Sequence, residues 1–205
     1  MHVGLSSSVV EQRTCNAQVV SSILTGGSLY LEGEIMSSFP YEEFADAIAA
    51  NDEYIKSFKY SELTGVAQRG LAIVTCMDSR INPLSVVGMR SGDAKILRNA
   101  GARVTDDVLR TLVLATYLLG VKRILIMPHT NCRMAQVDEA EIHREIDTKY
   151  GIDTSELEFK TVADQQAALI EDVHMVRNYR LLNTGVSVGG AIYDVATGKI
   201  TPVDC

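Results

Sequence analysis

Two short clusters, Cys76-Met77-Asp78-Ser79-Arg80 and His129-Thr130-Asn131-Cys132, hold the chemistry-bearing side chains of this 205-residue chain. Together they offer two thiolates, an imidazole and a carboxylate, the donor types Zn²⁺ prefers, with an arginine beside the carboxylate. Cys76, His129 and Cys132 would supply two sulfurs at roughly 2.3 Å and one nitrogen at roughly 2.0–2.1 Å, leaving one tetrahedral position free. A water there would ionise at a pH of about 7, so hydroxide would be available under neutral conditions. Asp78 is itself an adequate zinc ligand. Held as the bidentate partner of Arg80 it leaves the fourth position to water, and released it closes the site. One buried cysteine is usually a small core hydrophobe, and a lone Asp-x-Arg is usually a surface pair or a turn. The joint occurrence of both clusters, each behind its own apolar run, points to a metal. A closed structural zinc site would use the same residues with Asp78 as a permanent ligand, so the ligand set alone leaves catalysis open.

The elements that must position these residues are legible in the hydrophobic pattern. The run Leu71-Ala72-Ile73-Val74-Thr75 has strand length and delivers Cys76 at its carboxyl end. Arg123-Ile124-Leu125-Ile126-Met127 is the clearest buried strand, and His129 follows directly after Pro128. Ligands of open parallel sheets gather in the crevice at the carboxyl ends of strands, so both clusters are expected to converge on one site. Ile96-Leu97 marks a weaker strand. Thr105 caps a helix with Asp106 and Asp107 in its first turn and Val108, Leu109, Leu112, Val113, Thr116 and Leu119 on its buried face, stopped by Gly120. A first helix is expected from Pro40, with Tyr41, Phe44, Ile48 and Ile55 on one face. Ile142 and Ile146 mark a short acidic helix, and Val162, Leu169, Ile170, Val173 and Val176 a longer one. A hairpin is expected from Ala191 to Val195, through Thr197-Gly198, to Lys199–Val203. The alternation predicts an α/β fold: a single domain with a mainly parallel central sheet flanked by helices and an antiparallel C-terminal edge strand.

A hydrophobic content of 46% with 22% charged residues is ordinary for one such domain. The formal net charge of −7 comes without a basic stretch, which argues against a nucleic-acid partner. No apolar run approaches the roughly 20 residues that span a bilayer. The four cysteines, Cys15, Cys76, Cys132 and Cys205, are too dispersed for a disulfide framework, so a reducing compartment, the cytoplasm, is expected.

Residues 1–35 read differently, rich in serine and glycine and without sustained periodicity. They lack the positive start and unbroken apolar core of a signal peptide. They look similar to a translated transfer-RNA gene: Ser21-Ser22-Ile23 can be encoded by AGT-TCG-ATC, which contains the GTTCGATC of a T-loop. The expectation is a non-native or disordered extension over 1–35 and a working protein that begins at Met36, with the zinc domain over 36–205.

Cys76-Met77-Asp78-Ser79-Arg80, Arg98-Asn99-Ala100-Gly101 and His129-Thr130-Asn131-Cys132, in this order and at this spacing, resemble the β-class carbonic anhydrases, above all their short bacterial branch. The likeness runs from about Met36 to the C-terminal hairpin. It implies an enzyme with one Zn²⁺ per subunit that reversibly hydrates CO₂ to bicarbonate and a proton by zinc-bound hydroxide. Cys76, His129 and Cys132 would be the ligands, and Asp78 with Arg80 the dyad that gates the fourth position and orients the nucleophile. It further implies a homodimer or higher even oligomer with active sites near the subunit interface. On the same fold a carbonyl sulfide or carbon disulfide hydrolase is an alternative, as is a non-catalytic zinc-binding regulatory or structural paralogue with Asp78 permanently on the metal. Asn131 and Arg133 depart from the family's usual Asp and Gly. Arg133 has four open readings: solvent, a narrowed entrance, attraction of bicarbonate, or a less basic Cys132 thiolate. Asn99 is expected in a polar turn and Gly101 at a close backbone approach, and His143 and His174 are expected on the surface.

Overall fold

A computed structural model describes residues 30–31, 34–35 and 39–205 of the chain. The expected start at Met36 falls outside the described residues, as does most of the segment before it. The chain divides into a first unit that ends at Phe58 and a second, Lys59–Cys205, each taken by itself. In the first unit, Tyr30–Leu31 pairs antiparallel with Glu34–Ile35, and helix α1 spans Ala45–Ile55. That helix starts later than Pro40 predicts. Its N-cap is Phe44, which has no side-chain acceptor to offer, and the backbone before it is a turn in which the Tyr41 N–H donates to Phe39 O at 2.9 Å.

The second unit is built on five strands: β1 Leu71–Cys76, β2 Ala94–Asn99, β3 Arg123–Met127, β4 Ser187–Tyr193 and β5 Ile200–Val203. Their order is β2-β1-β3-β4-β5. The first four are parallel, and β5 closes one edge antiparallel to β4. β1 is buried at all six positions, as its unbroken apolar run requires of a central parallel strand covered on both faces. β2 lies on one side of β1 and β3 on the other, so the chain reverses its direction of growth between β1 and β3. That junction is where such sheets open a crevice at their carboxyl ends.

Helices cover the sheet as follows. α3, Asp106–Leu118, carries Val108, Leu109, Leu112 and Ala115, which pack with Ala72, Val74, Ile124 and Ile126 of the sheet. α5, Gln165–Arg177, adds Leu169, Val173 and Val176 to the same core. It lies so close to β4 that a Cβ at Gly190 would come within 3.0 Å of Leu169 Cγ. The second core gathers Leu71, Ile73 and Met127 with Ile81 and Met134, and Ile142 of helix α4, Glu139–Tyr150, packs against it. Successive residues on β1 therefore serve opposite cores, Ala72 and Val74 one, Leu71 and Ile73 the other. The short helix α2, Pro83–Val86, begins after Asn82, whose side chain accepts the Ser85 N–H.

Three further expectations need correction. Val162 is buried but precedes α5: its N–H donates to Met134 O at 2.8 Å, and Asp164 starts the helix by accepting the Gln166 and Ala167 N–H groups. On α3, Val113 and Leu119 are only half-buried, and Ala115 sits deeper. His143 is half-buried, with Nδ1 2.8 Å from Thr154 Oγ1 and its ring 5.2 Å from Phe159, whereas His174 is exposed as expected. Among the described residues, no helix is long and apolar enough to cross a membrane.

Candidate metal centre

The switch between β1 and β3 places both clusters together. β1 ends at Cys76 because Asp78 turns the chain on itself: its Oδ1 accepts the Arg80 N–H at 2.9 Å and its carbonyl accepts the Ile81 N–H at 3.1 Å. β3 ends at Met127, before Pro128, which has no N–H to continue a ladder. The chain nevertheless stays on β4 for two residues more. The Tyr193 N–H donates to Pro128 O and the Thr130 N–H donates to Tyr193 O, both at 2.9 Å. Asn131 then takes a left-handed conformation, φ 56°, which asparagine tolerates better than most side chains. This bend returns Cys132 toward His129.

As a result, ligand atoms of Cys76, His129 and Cys132 lie within 4.8 Å of one another, and all three residues are buried. The two Sγ atoms are 3.9 Å apart. His129 is fully buried, with Nδ1 2.9 Å from Thr130 O. A carbonyl can only accept, so Nδ1 carries the proton and Nε2 presents a lone pair. That Nε2 has no hydrogen-bond partner. A buried, unpaired imidazole nitrogen beside two thiols is the environment a thiophilic tetrahedral cation would satisfy, so the donor set fits zinc. The hydrogen bond across the sulfurs, against the opposing effect of burial, draws Cys76 down to about 4, while the same partner pushes Cys132 up. The pair thus gives up one proton readily and the second with difficulty, and a bound cation would supply the missing compensation for two thiolates.

Asp78 sits at the rim of this cluster, with Oδ2 3.7 Å from His129 Nε2. Arg80 grips it with a fork, Nε donating to Oδ1 at 2.9 Å and Nη2 to Oδ2 at 2.7 Å. Those bonds hold the Asp78 carboxyl well below the usual carboxylate range. Nη2 also donates to Asn131 O at 3.1 Å, so the left-handed residue of the ligand loop is part of the arginine's seat. Arg133 leaves this region altogether. Its guanidinium donates to Glu145 on α4 at 2.7 Å, so the side chain points toward solvent, the first of its four readings, and there meets an ion-pair partner that the sequence reading did not name.

The three metal-type residues and the Asp78–Arg80 pair are therefore brought together. Asn99 ends β2 opposite Cys76, its Nδ2 donating to Arg103 O at 2.7 Å. Gly101, φ 77°, lies where a Cβ would come within 3.3 Å of Met134 Cβ. Three supporting side chains carried no role in the sequence reading. Arg98 donates to Cys76 O at 2.9 Å and to Asp78 O at 2.6 Å, tying the first cluster to β2. Gln165 donates to His129 O at 2.8 Å. Asp172, fully buried, accepts Arg103 Nε at 2.9 Å. Burial pushes the Asp172 carboxyl up, and Arg103 offsets part of that rise. The available signal was the spacing of Gln165 and Asp172, two helical turns apart on an otherwise apolar face of α5.

A sequence profile of the family described as Carbonic anhydrase matches residues 71–200. A second profile, described as Uncharacterized protein YPR108W-A, matches residues 3–32. Beta-carbonic anhydrase 1 of Mycobacterium tuberculosis is 32% identical over 158 residues, which cover 77% of this chain and 96% of that protein. A carbon disulfide hydrolase of Saccharolobus solfataricus is 30% identical over 177 residues, covering 73% of this chain and 86% of its own length. The crystal structure of carbonic anhydrase from Streptococcus mutans superposes with a TM-score of 0.74 at 35% identity, covering 82% of this chain and 100% of that one. With the profile spanning more than half of its length and both clusters at the sheet's switch point, the chain belongs to the β-carbonic anhydrase family.

Proposed function

We propose that this chain catalyses the reversible hydration of CO₂ to bicarbonate and a proton, with Zn²⁺ held by Cys76, His129 and Cys132. The observation that carries the reading is the fork of Arg80 on Asp78, which keeps the carboxylate occupied beside the three donor atoms. When bound, zinc is a Lewis acid strong enough to supply a hydroxide nucleophile near neutral pH. Asp78 is the acceptor that orients the proton of that nucleophile, and the double hydrogen bond from Arg80 keeps it ionised and aimed. Arg80 is in turn seated on Asn131 O, and Arg98 holds the main chain of both Cys76 and Asp78. One water and one CO₂ give one bicarbonate, and the proton passes to solvent. A homodimer or larger even assembly in the cytoplasm belongs to the same reading and rests on the family resemblance.

The kinship with a carbon disulfide hydrolase supports a second reading, attack of the same nucleophile on CS₂ or carbonyl sulfide. The third, a non-catalytic zinc protein, requires Asp78 to leave Arg80 for the metal. The test is stopped-flow CO₂ hydration on the zinc-loaded protein, with zinc content measured and Asp78→Ala in parallel. Hydration that falls at least tenfold in the variant at unchanged zinc is expected. Stoichiometric zinc with no hydration at alkaline pH, but sulfide release from CS₂, would establish the second reading, and inactivity on both the third.

A further inference from the structure

The peptide between His129 and Thr130 lies beyond the regular ladder of β3, and its two polar ends are held from different elements. Its N–H donates to Tyr193 O on the β4 side, and its carbonyl accepts Nε2 of Gln165 from the first turn of α5. The next carbonyl, Thr130 O, is the one that accepts His129 Nδ1 and so aims Nε2 at the two sulfurs. The Thr130 side chain is fixed too, accepting the Val195 N–H at 3.2 Å. The β4 side of this arrangement is main chain and is present whatever the side chains. The α5 side depends on one amide. The helix is well placed to supply it, because Gln165, Leu169 and Asp172 line a cavity with Cys132, Gly101 and Arg103 immediately behind the cluster.

We infer that Gln165 is a positioning residue for the metal centre: its amide N–H fixes the His129 peptide and, through it, the direction of the imidazole. The inference rests on the reading of Cys76, His129 and Cys132 as zinc ligands. Partners that orient a ligating histidine typically change metal affinity about 10- to 100-fold when removed, and the effect here acts through the backbone, so the low end applies.

The experiment measures zinc release to a chromogenic chelator from the zinc-loaded wild type, Gln165→Glu, Gln165→Lys and Gln166→Glu. Glutamate has the size of glutamine but at neutral pH only accepts, so it sets an acceptor against the His129 carbonyl. Lysine restores a donor. Gln166 is exposed, and its substitution puts the same charge on the same turn without reaching His129. Release about tenfold faster in Gln165→Glu is expected, with Gln165→Lys and Gln166→Glu within about twofold of wild type. The cobalt-substituted Gln165→Glu protein should show a shifted visible d–d band. If the wild type takes up no zinc, the metal reading fails and this inference falls with it. If the wild type holds zinc and Gln165→Glu releases it at the wild-type rate, or lysine loses as much as glutamate, the inference alone is overturned.

Discussion

Asp78 is a small residue with three tasks: it turns the chain after β1, seats Arg80, and stands 3.7 Å from the imidazole nitrogen. Because its carboxyl is held below the ordinary range, the contribution to folding stability is present above that range and lost as the pH falls toward the lowered value. In the metal-free protein Asp78→Asn should therefore flatten the fall in stability between about pH 5 and about pH 3. Urea unfolding at stepped pH measures it, and an unchanged slope would show that the pair adds nothing to the fold. Ala102 illustrates a different constraint. It is buried with φ 61° in the turn after β2, a left-handed conformation that costs an alanine about 1–2 kcal/mol, and the surrounding packing at the back of the site holds it there. Arg133, the departure from the family beside a ligand, turns out to serve α4 through Glu145 and leaves Cys132 to the metal cluster.

At the scale of elements, α5 is the support on which the site rests. It packs on β4 through Leu169 near Gly190, sends Gln165 to the loop that carries His129 and Cys132, and sends Asp172 to the turn after β2. The Asp172–Arg103 pair joins α5 to the turn after β2, and Asn99, the residue opposite Cys76, donates to Arg103 O in that turn. Breaking a buried pair from one side leaves the other charge uncompensated, at a cost of about 3–5 kcal/mol. Asp172→Ala should lose stability of that order in denaturant unfolding. A loss below about 1 kcal/mol would show that Arg103, partly exposed, reaches water when released.

For the molecule as a whole, a metal bound at the centre would join the ends of β1 and β3 through residues that are distant in the chain. Zinc at about 1,000 times its dissociation constant adds about 4 kcal/mol to the folded state. For a domain of this size each kcal/mol moves the melting temperature by roughly 2–4 °C. Dialysis against a strong chelator should thus lower the melting temperature on the order of 10 °C, restored by stoichiometric zinc. Calorimetry that gives the same value with and without metal would remove the centre from the stability of the fold.

The strands β1 and β3, the helix α3 and the C-terminal hairpin were legible because each buries a continuous or periodic apolar set, a property local to its own residues. The positions of Cys76 and His129 at strand ends were legible for the same reason, and so was the parallel sheet. The start of α1 and the place of Val162 were not, since a turn before Phe44 and a hydrogen bond from Val162 to Met134 decide them. Composition and spacing alone determined which residues can bind a metal and in which family of sheet they sit. Only the tertiary structure decided that Asp78 lies in the fork of Arg80, that Arg133 faces α4, and that Gln165 reaches His129 across 36 positions of chain. The last two contacts join groups whose separation in space is set by the packing of helices on the sheet, and the Asp78–Arg80 fork, local in the chain, is seated by Asn131 O from the other cluster, a juxtaposition no local pattern encodes.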